Sequence, residues 1–187
     1  MLRCKILIAF LLIASTICKA QDAQDIVNVW LKNADELSTN SSRDSFITKS
    51  LLGIKDASSL AEAEFHIGQY FLDKNVYNTA LKFYQKSLKD YYDKNISAFT
   101  AKVYNDIGFI NGQQGKPDDM LNYYFKAIRI YEQYDDHEGL AVTNSNISSA
   151  YFDMGKKEDA IFYAIQSLRM RQKTKDWDAL ASRKKWI

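Results

Sequence analysis

From residue 61 onward the apolar positions recur at intervals of three and four, as in Leu81, Tyr84, Leu88 and Tyr91. Side chains so spaced share one face of an α-helix, which must be buried against something else. The pattern itself recurs. Sliding the chain by 40 residues brings Ala61, Ala101, Ala141 and Ala181 into line, and with them Ile67, Ile107 and Ile147. Gly68, Gly108 and Ser148 also align, as do Leu81, Leu121 and Ile161; Phe83, Tyr123 and Tyr163; and Leu88, Ile128 and Leu168. Ser87, Ala127 and Ser167 supply a small residue each time. A fixed period in this range marks stacked supersecondary units, none of which can bury its apolar face alone.

Polar segments DKNVYN, QQGKPDD and MGKKED divide each unit, with Asn75, Gly115 and Gly155 at one aligned position. Asparagine and glycine accept the left-handed backbone that closes a helix. Pro117 with Asp118 and Asp119, and Glu158 with Asp159, then suit a helix start, where proline loses no hydrogen bond and acids meet the positive dipole end. Paired helices follow at 61–73 with 77–92, 101–114 with 117–133, and 141–154 with 157–173. Upstream, 25–38 and 44–55 read as a degenerate pair, with STNSSRDS between them and Asp44 capping the second helix. Asp56 to Leu60 aligns with Asp136 to Leu140 and Asp176 to Leu180, and reads as a linker. The organisation is thus a degenerate pair in 21–60, repeats at 61–100, 101–140 and 141–180, and the start of a fourth at 181–187.

Residues 1–20 have a different character. Arg3 and Lys5 precede the apolar run from Ile6 to Ile17, and Cys18-Lys19-Ala20 follows. A basic start, an apolar stretch too short to span a bilayer comfortably and small residues before a cut form the layout of a secretory signal peptide, with cleavage expected after Ala20 and a periplasmic or secreted product. Both cysteines, Cys4 and Cys18, lie in this leader, so the processed chain has no thiol chemistry. Losing Arg3, Lys5 and Lys19 leaves 22 basic residues against 23 acids, a net charge of −1. That balance excludes a nucleic-acid footprint, which needs clustered excess Lys and Arg. Past residue 20 no apolar run approaches a membrane span, so no membrane insertion is expected once the signal is removed.

The paired small and large positions resemble the tetratricopeptide repeat. In the first copy they are Ile67-Gly68, Phe71, Ala80, Tyr84 and Ser87. The second offers Tyr104, Ile107-Gly108, Gly115, Tyr124 and Ala127, and the third Ile147-Ser148, Tyr151, Gly155, Ala160 and Ser167. Departures are Glu64 at a usually large position, Asn111 for an aromatic, Met120 for a small residue and Ala164 for a bulky one. The resemblance implies an all-α fold, a right-handed superhelical stack of antiparallel helix pairs. Its spacing of 40, against about 34 in the common form, is similar to that in bacterial peptide-pheromone receptors and in the repeats of some sensor kinases and regulators.

The same resemblance implies an inner groove lined by first-helix side chains, here Phe65, Gln69, Asn105, Phe109, Ser145, Ser149 and Phe152. Amides pair with a peptide backbone and aromatic rings fill side-chain pockets, so the implied guest is a protein or peptide. The basic clamp that some members close on a terminal carboxylate is not met: Phe65 and Asn146 occupy two of its positions, leaving only Lys102. Catalysis has little to stand on, since His66 and His137 are the only histidines and no spacing reads as a triad, metal or phosphate site. No cofactor is expected. Sequons occur at Asn40, Asn95 and Asn146, but Asn146 adjoins the expected core residue Ile147, so no glycan is expected there.

Ala181 opens a fourth unit in register, and Ile187 falls where Ile67, Ile107 and Ile147 enter the core. With no polar capping helix after it, the last stacking face is expected to be apolar, open to self-association, and the chain to be a piece of a longer product. The expected function is a non-catalytic protein- or peptide-binding scaffold exported from the cytoplasm. The alternative is the truncated sensory region of a signalling receptor, a histidine kinase or transcription regulator.

Overall fold

The computed structural model describes residues 23–36, 40–92 and 98–184, which form helices and turns with no strand among them. The helices are α1 (Ala23–Asp35), α2 (Asn40–Leu51), α3 (Ala57–Asp73), α4 (Tyr77–Tyr92), α5 (Ala98–Gln113), α6 (Pro117–Gln133), α7 (His137–Asp153) and α8 (Lys157–Lys184). The expected leader and the last three residues lie outside the described residues. None of the described helices is long and apolar enough to cross a membrane. The chain forms two compact units, residues 1–90 and 91–187.

In the first unit α1 packs on α2 and α3, burying Val27, Trp30 and Ala34 with Ile47 of α2. At the end of α1, Asp35 Oδ1 accepts from Lys74 Nζ at 2.6 Å and from the Tyr70 hydroxyl. Those bonds to Asp35 and Tyr70 hold the Lys74 ammonium above its ordinary pKa. Burial, followed by the Asp35 bond, does the same for Tyr70. Lys74 and Asp35 are each 44% exposed, so the latch is worth little in isolation. Helix α4 then lies against α3. Tyr84 covers Gly68, where a Cβ would fall 2.6 Å from the ring, and Phe83 stacks on Phe71 with centroids 5.8 Å apart. Ser87 Oγ donates to Ala61 O at 2.7 Å.

The second unit repeats these contacts 40 residues on. Tyr124 of α6 covers Gly108 of α5, with a Cβ there falling 2.7 Å from the ring, and Ala101 meets Ala127 in one buried cluster with Ile130, Tyr131 and Leu140. In the α7–α8 pair Ser167 Oγ donates to Ala141 O at 2.7 Å, the same 26-residue separation as Ser87 and Ala61. Burial holds the hydroxyls of Tyr124 and Tyr131 above the ordinary 10.0, with the negative charge of Asp106 adding to the first and that of Asp136 to the second.

Asn75, Gly115 and Gly155 have φ of 58°, 70° and 75°. At each, the next amide reaches back over the helix end: Val76 N to Phe71 O, Lys116 N to Asn111 O and Lys156 N to Tyr151 O, all at 2.8–2.9 Å. These bonds satisfy carbonyls that the helix end would otherwise orphan. Asp135 (φ 53°) closes α6 in the same way, with Asp136 N to Tyr131 O at 2.9 Å.

Several boundaries differ from the sequence expectation. The 56–60 and 136–140 segments are first helical turns and not linkers. Asp56 Oδ2 accepts from Ser59 N and Asp136 Oδ1 from Gly139 N, both at 2.8 Å, which starts α3 and α7 four residues early. Helix α2 begins at Asn40, so Asp44 lies inside it and not at its cap. Helix α8 runs through the expected linker at 176–180 to Lys184. The position that closes α6 is Asp135, and its counterpart here is Lys175, which lacks the short polar side chain that makes left-handed backbone tolerable.

Candidate binding site

Helices α5 and α7 stand side by side in the second unit, and their exposed edge carries most of the residues expected to line a groove. Phe109 is 40% exposed and Phe152 66%; Ser145 and Ser149 are also exposed. Phe109 and Ser149 open on a cavity of about 290 Å³ that also takes in Gln113, Met120, Asn146 and Met154. Gly112 lets the Met120 side chain lie against α5 at the cavity wall; a Cβ there would fall 2.6 Å from Met120 Sδ. Amides and thioethers around an aromatic mouth, with the carboxylate of Asp153 at its edge, give this surface adaptable hydrogen bonding and packing.

Ser145, Ser149 and Phe152 also border a second groove of about 490 Å³ between α7 and α8, floored by Ser148, Ala160 and Ala164. This groove is the counterpart of the place that Tyr84 and Tyr124 fill in the preceding copies. Ala164 stands where they stand, and Ser148 stands where they meet Gly68 and Gly108. Ser148 Oγ donates to Ala160 O at 2.7 Å. The exchange of glycine and tyrosine for serine and alanine thus leaves the third helix pair with a bare trough.

Other expected lining residues serve the scaffold. Asn105 Oδ1 accepts from Thr143 Oγ1 at 3.2 Å and from Asn146 Nδ2 at 3.1 Å, tying α5 to α7. Phe65 is only 3% exposed, its ring 5.8 Å from Tyr84 and 5.1 Å from His66, so it belongs to the core and not to the groove lining expected of it. The register carries a polar residue at this position in the next copies, Asn105 and Ser145, whereas a phenyl ring gains by turning inward. Gln69 is half-buried and bonded to His66, Oε1 to Nδ1 at 3.1 Å. Gln113, Met120, Asn146 and Met154 were missed because they reach the cavity from the end of α5, from α6 and from the neighbouring hairpin. The one available signal was the second glycine of α5, Gly112, facing a methionine.

Among the described residues no three His, Cys, Asp or Glu side chains gather as a metal site. His137 lies 3.5 Å from Asp135 Oδ1 at the α6–α7 turn. Lys102 is exposed on α5.

Stacked helix pairs with recurring small-on-large contacts define a helical-repeat scaffold of the tetratricopeptide class. Residues 99–173 match the tetratricopeptide repeat family. No curated protein matches the chain by sequence. Among solved structures, it is similar to BtubC from P. vanneervenii, with a TM-score of 0.67 and 18% identity over 81% of this chain and 64% of that one. It is also similar to MamA (TM-score 0.61, 15% identity, 88% and 87% covered). Aspartyl phosphate phosphatase F from Bacillus subtilis gives a TM-score of 0.66 at 17% identity, over 87% of this chain and 44% of that one. The chain therefore spans less than two thirds of the length of BtubC and under half that of the phosphatase.

Proposed function

We propose that this chain is a non-catalytic scaffold, exported from the cytoplasm, that holds an extended peptide or protein segment along α5 and α7. The observation that carries the reading is the cavity beside Phe109, which combines an exposed ring with the free edge of Gln113 and a thioether floor. A backbone amide of the guest pairs with the side-chain amides while an apolar side chain enters beside Met120. Export rests on the leader pattern of residues 1–20.

A pull-down from the cell envelope with the tagged chain, repeated with Phe109→Ala, tests the binding. The expected result is a discrete captured protein that is lost with Phe109→Ala and retained with Lys102→Ala. Equal capture by both variants would remove the cavity from the site. N-terminal sequencing of the chain recovered outside the cytoplasm should begin at Gln21, and retention of Met1 in the cytoplasmic fraction would reject export.

A further inference from the structure

One charged side chain borders the cavity beside Phe109, the carboxylate of Asp153. Asp153 is the last residue of α7 and is exposed, and among the described residues nothing pairs with its carboxylate. The nearby cations are engaged elsewhere. Lys116 Nζ donates to Gln114 Oε1 at 3.1 Å, Lys156 Nζ lies 5.6 Å from the centre of the Tyr151 ring, and Lys157 borders the separate groove between α7 and α8. Helices α5 and α7 both end here, at Gln113 and Asp153, so each brings the negative end of its dipole to the cavity. Helix α6 starts here with its positive end, and its first turn sets the exposed acids Asp118 and Asp119 against it. Asn146 gives its Nδ2 to Asn105, which leaves its carbonyl oxygen to accept from a guest. The polar rim thus offers acceptors and negative charge, beside thioethers and the Phe109 ring.

We propose that the guest side chain entering this cavity is basic, a lysine or arginine, with its methylene stem against Met120 and Met154 and its cationic head at Asp153. This rests on peptide binding at α5 and α7 and specifies which side chain is taken. A volume of about 290 Å³ lies at the lower end for small-molecule pockets and suits one long side chain. A wholly apolar side chain would strip water from Asp153 and give nothing back. An acidic one would meet like charge there. A basic side chain meets both halves of the site, since long cationic side chains bury their stems and keep their heads in water. The exposed ring of Phe109 adds the attraction of an aromatic face for a cation.

Selection from a displayed library of random heptapeptides on the full chain tests this, followed by fluorescence anisotropy with the most enriched peptide. The expected selection is for peptides that carry lysine or arginine at one position and are lost with Phe109→Ala. Replacing that residue by norleucine, which keeps the stem and removes the charge, weakens binding by roughly tenfold or more, the effect of one charge-assisted hydrogen bond. Asp153→Asn, with unchanged circular dichroism, weakens the basic peptide to the same extent and leaves the norleucine peptide as it was, so the two losses are not additive. Selection on Asp153→Lys turns the preference at that position to aspartate or glutamate. Basic peptides that bind Asp153→Asn as well as the wild type would overturn the proposal and place their charge on Asp118 and Asp119. Peptides that depend on Phe109 yet share no basic residue would overturn it while leaving peptide binding intact. If no peptide depends on Phe109, both readings of the cavity fall together.

Discussion

Tyr124 presses on Gly108 where any other residue would carry its first side-chain carbon, and this contact sets the spacing of the α5–α6 pair. Alanine at 108 gains about 1 kcal/mol in helix propensity, but overpacking against a buried ring costs typically 1–3 kcal/mol. Gly108→Ala is therefore expected to destabilise by up to about 2 kcal/mol. In a Tyr124→Ala background the same change should become neutral or stabilising, because the obstruction is gone. Denaturant unfolding of the four-variant cycle measures the coupling, and additive effects would contradict the contact. The glycines were legible in the sequence as a repeated small position. Their partners were only half legible, since the loss of tyrosine at Ala164 reads as a mere departure from the pattern, whereas the structure shows that, with serine at 148 in place of glycine, it leaves an open trough. Asn105 and Phe65 show the limit more sharply: register assigns a position on a helix, but the bonds from Thr143 and Asn146, and the inward turn of a phenyl ring, depend on neighbours brought in by tertiary packing. At the same scale, burial raises the pKa of Tyr124 and Tyr131 above 10.0. The unfolded chain then ionises first, so their stabilisation is intact below pH 10 and is lost as pH rises beyond it, by roughly 1.4 kcal/mol per pH unit for each tyrosine. Thermal melts between pH 9 and 11.5 should show Tm falling in the alkaline range, and Tyr131→Phe should flatten the fall. An unchanged slope in that variant would count against its buried hydroxyl.

Individual helices end where the chain supplies a residue that tolerates positive φ. Gly115 and Gly155 have open space around the position of a Cβ, so alanine there meets no clash and the cost comes from backbone alone. Each Gly→Ala change should destabilise by roughly 1 kcal/mol, and Asn75→Gly should be within a few tenths of neutral. Equilibrium unfolding measures all three, and a stabilising Gly155→Ala would show that the turn is not left-handed. These stops could be read from residue type because few side chains accept the conformation. Starts were harder. Asp56 and Asp136 sit in stretches that look like linkers, and only the bonds to Ser59 N and Gly139 N reveal them as caps. Asp56→Ala or Asp136→Ala should cost about 1 kcal/mol each. The extension of α8 was misread for the opposite reason: alignment with 136–140 implied a linker, although Lys175 replaces the residue that made the earlier break.

At the scale of the molecule, the two units share one construction rule, since both use a small residue under a tyrosine and a left-handed turn within the hairpin. The central claim is that helical hairpins recur every 40 residues, each broken by a left-handed residue at its turn. Backbone NMR chemical shifts of the chain in solution test it most directly, since they report helix and left-handed residues position by position. The account predicts helical shifts over 57–73, 77–92, 98–113, 117–133, 137–153 and from 157 onward, broken by left-handed shifts at Asn75, Gly115, Asp135 and Gly155. Continuous helix through Gly115 and Gly155, or extended shifts within any of these segments, would contradict it.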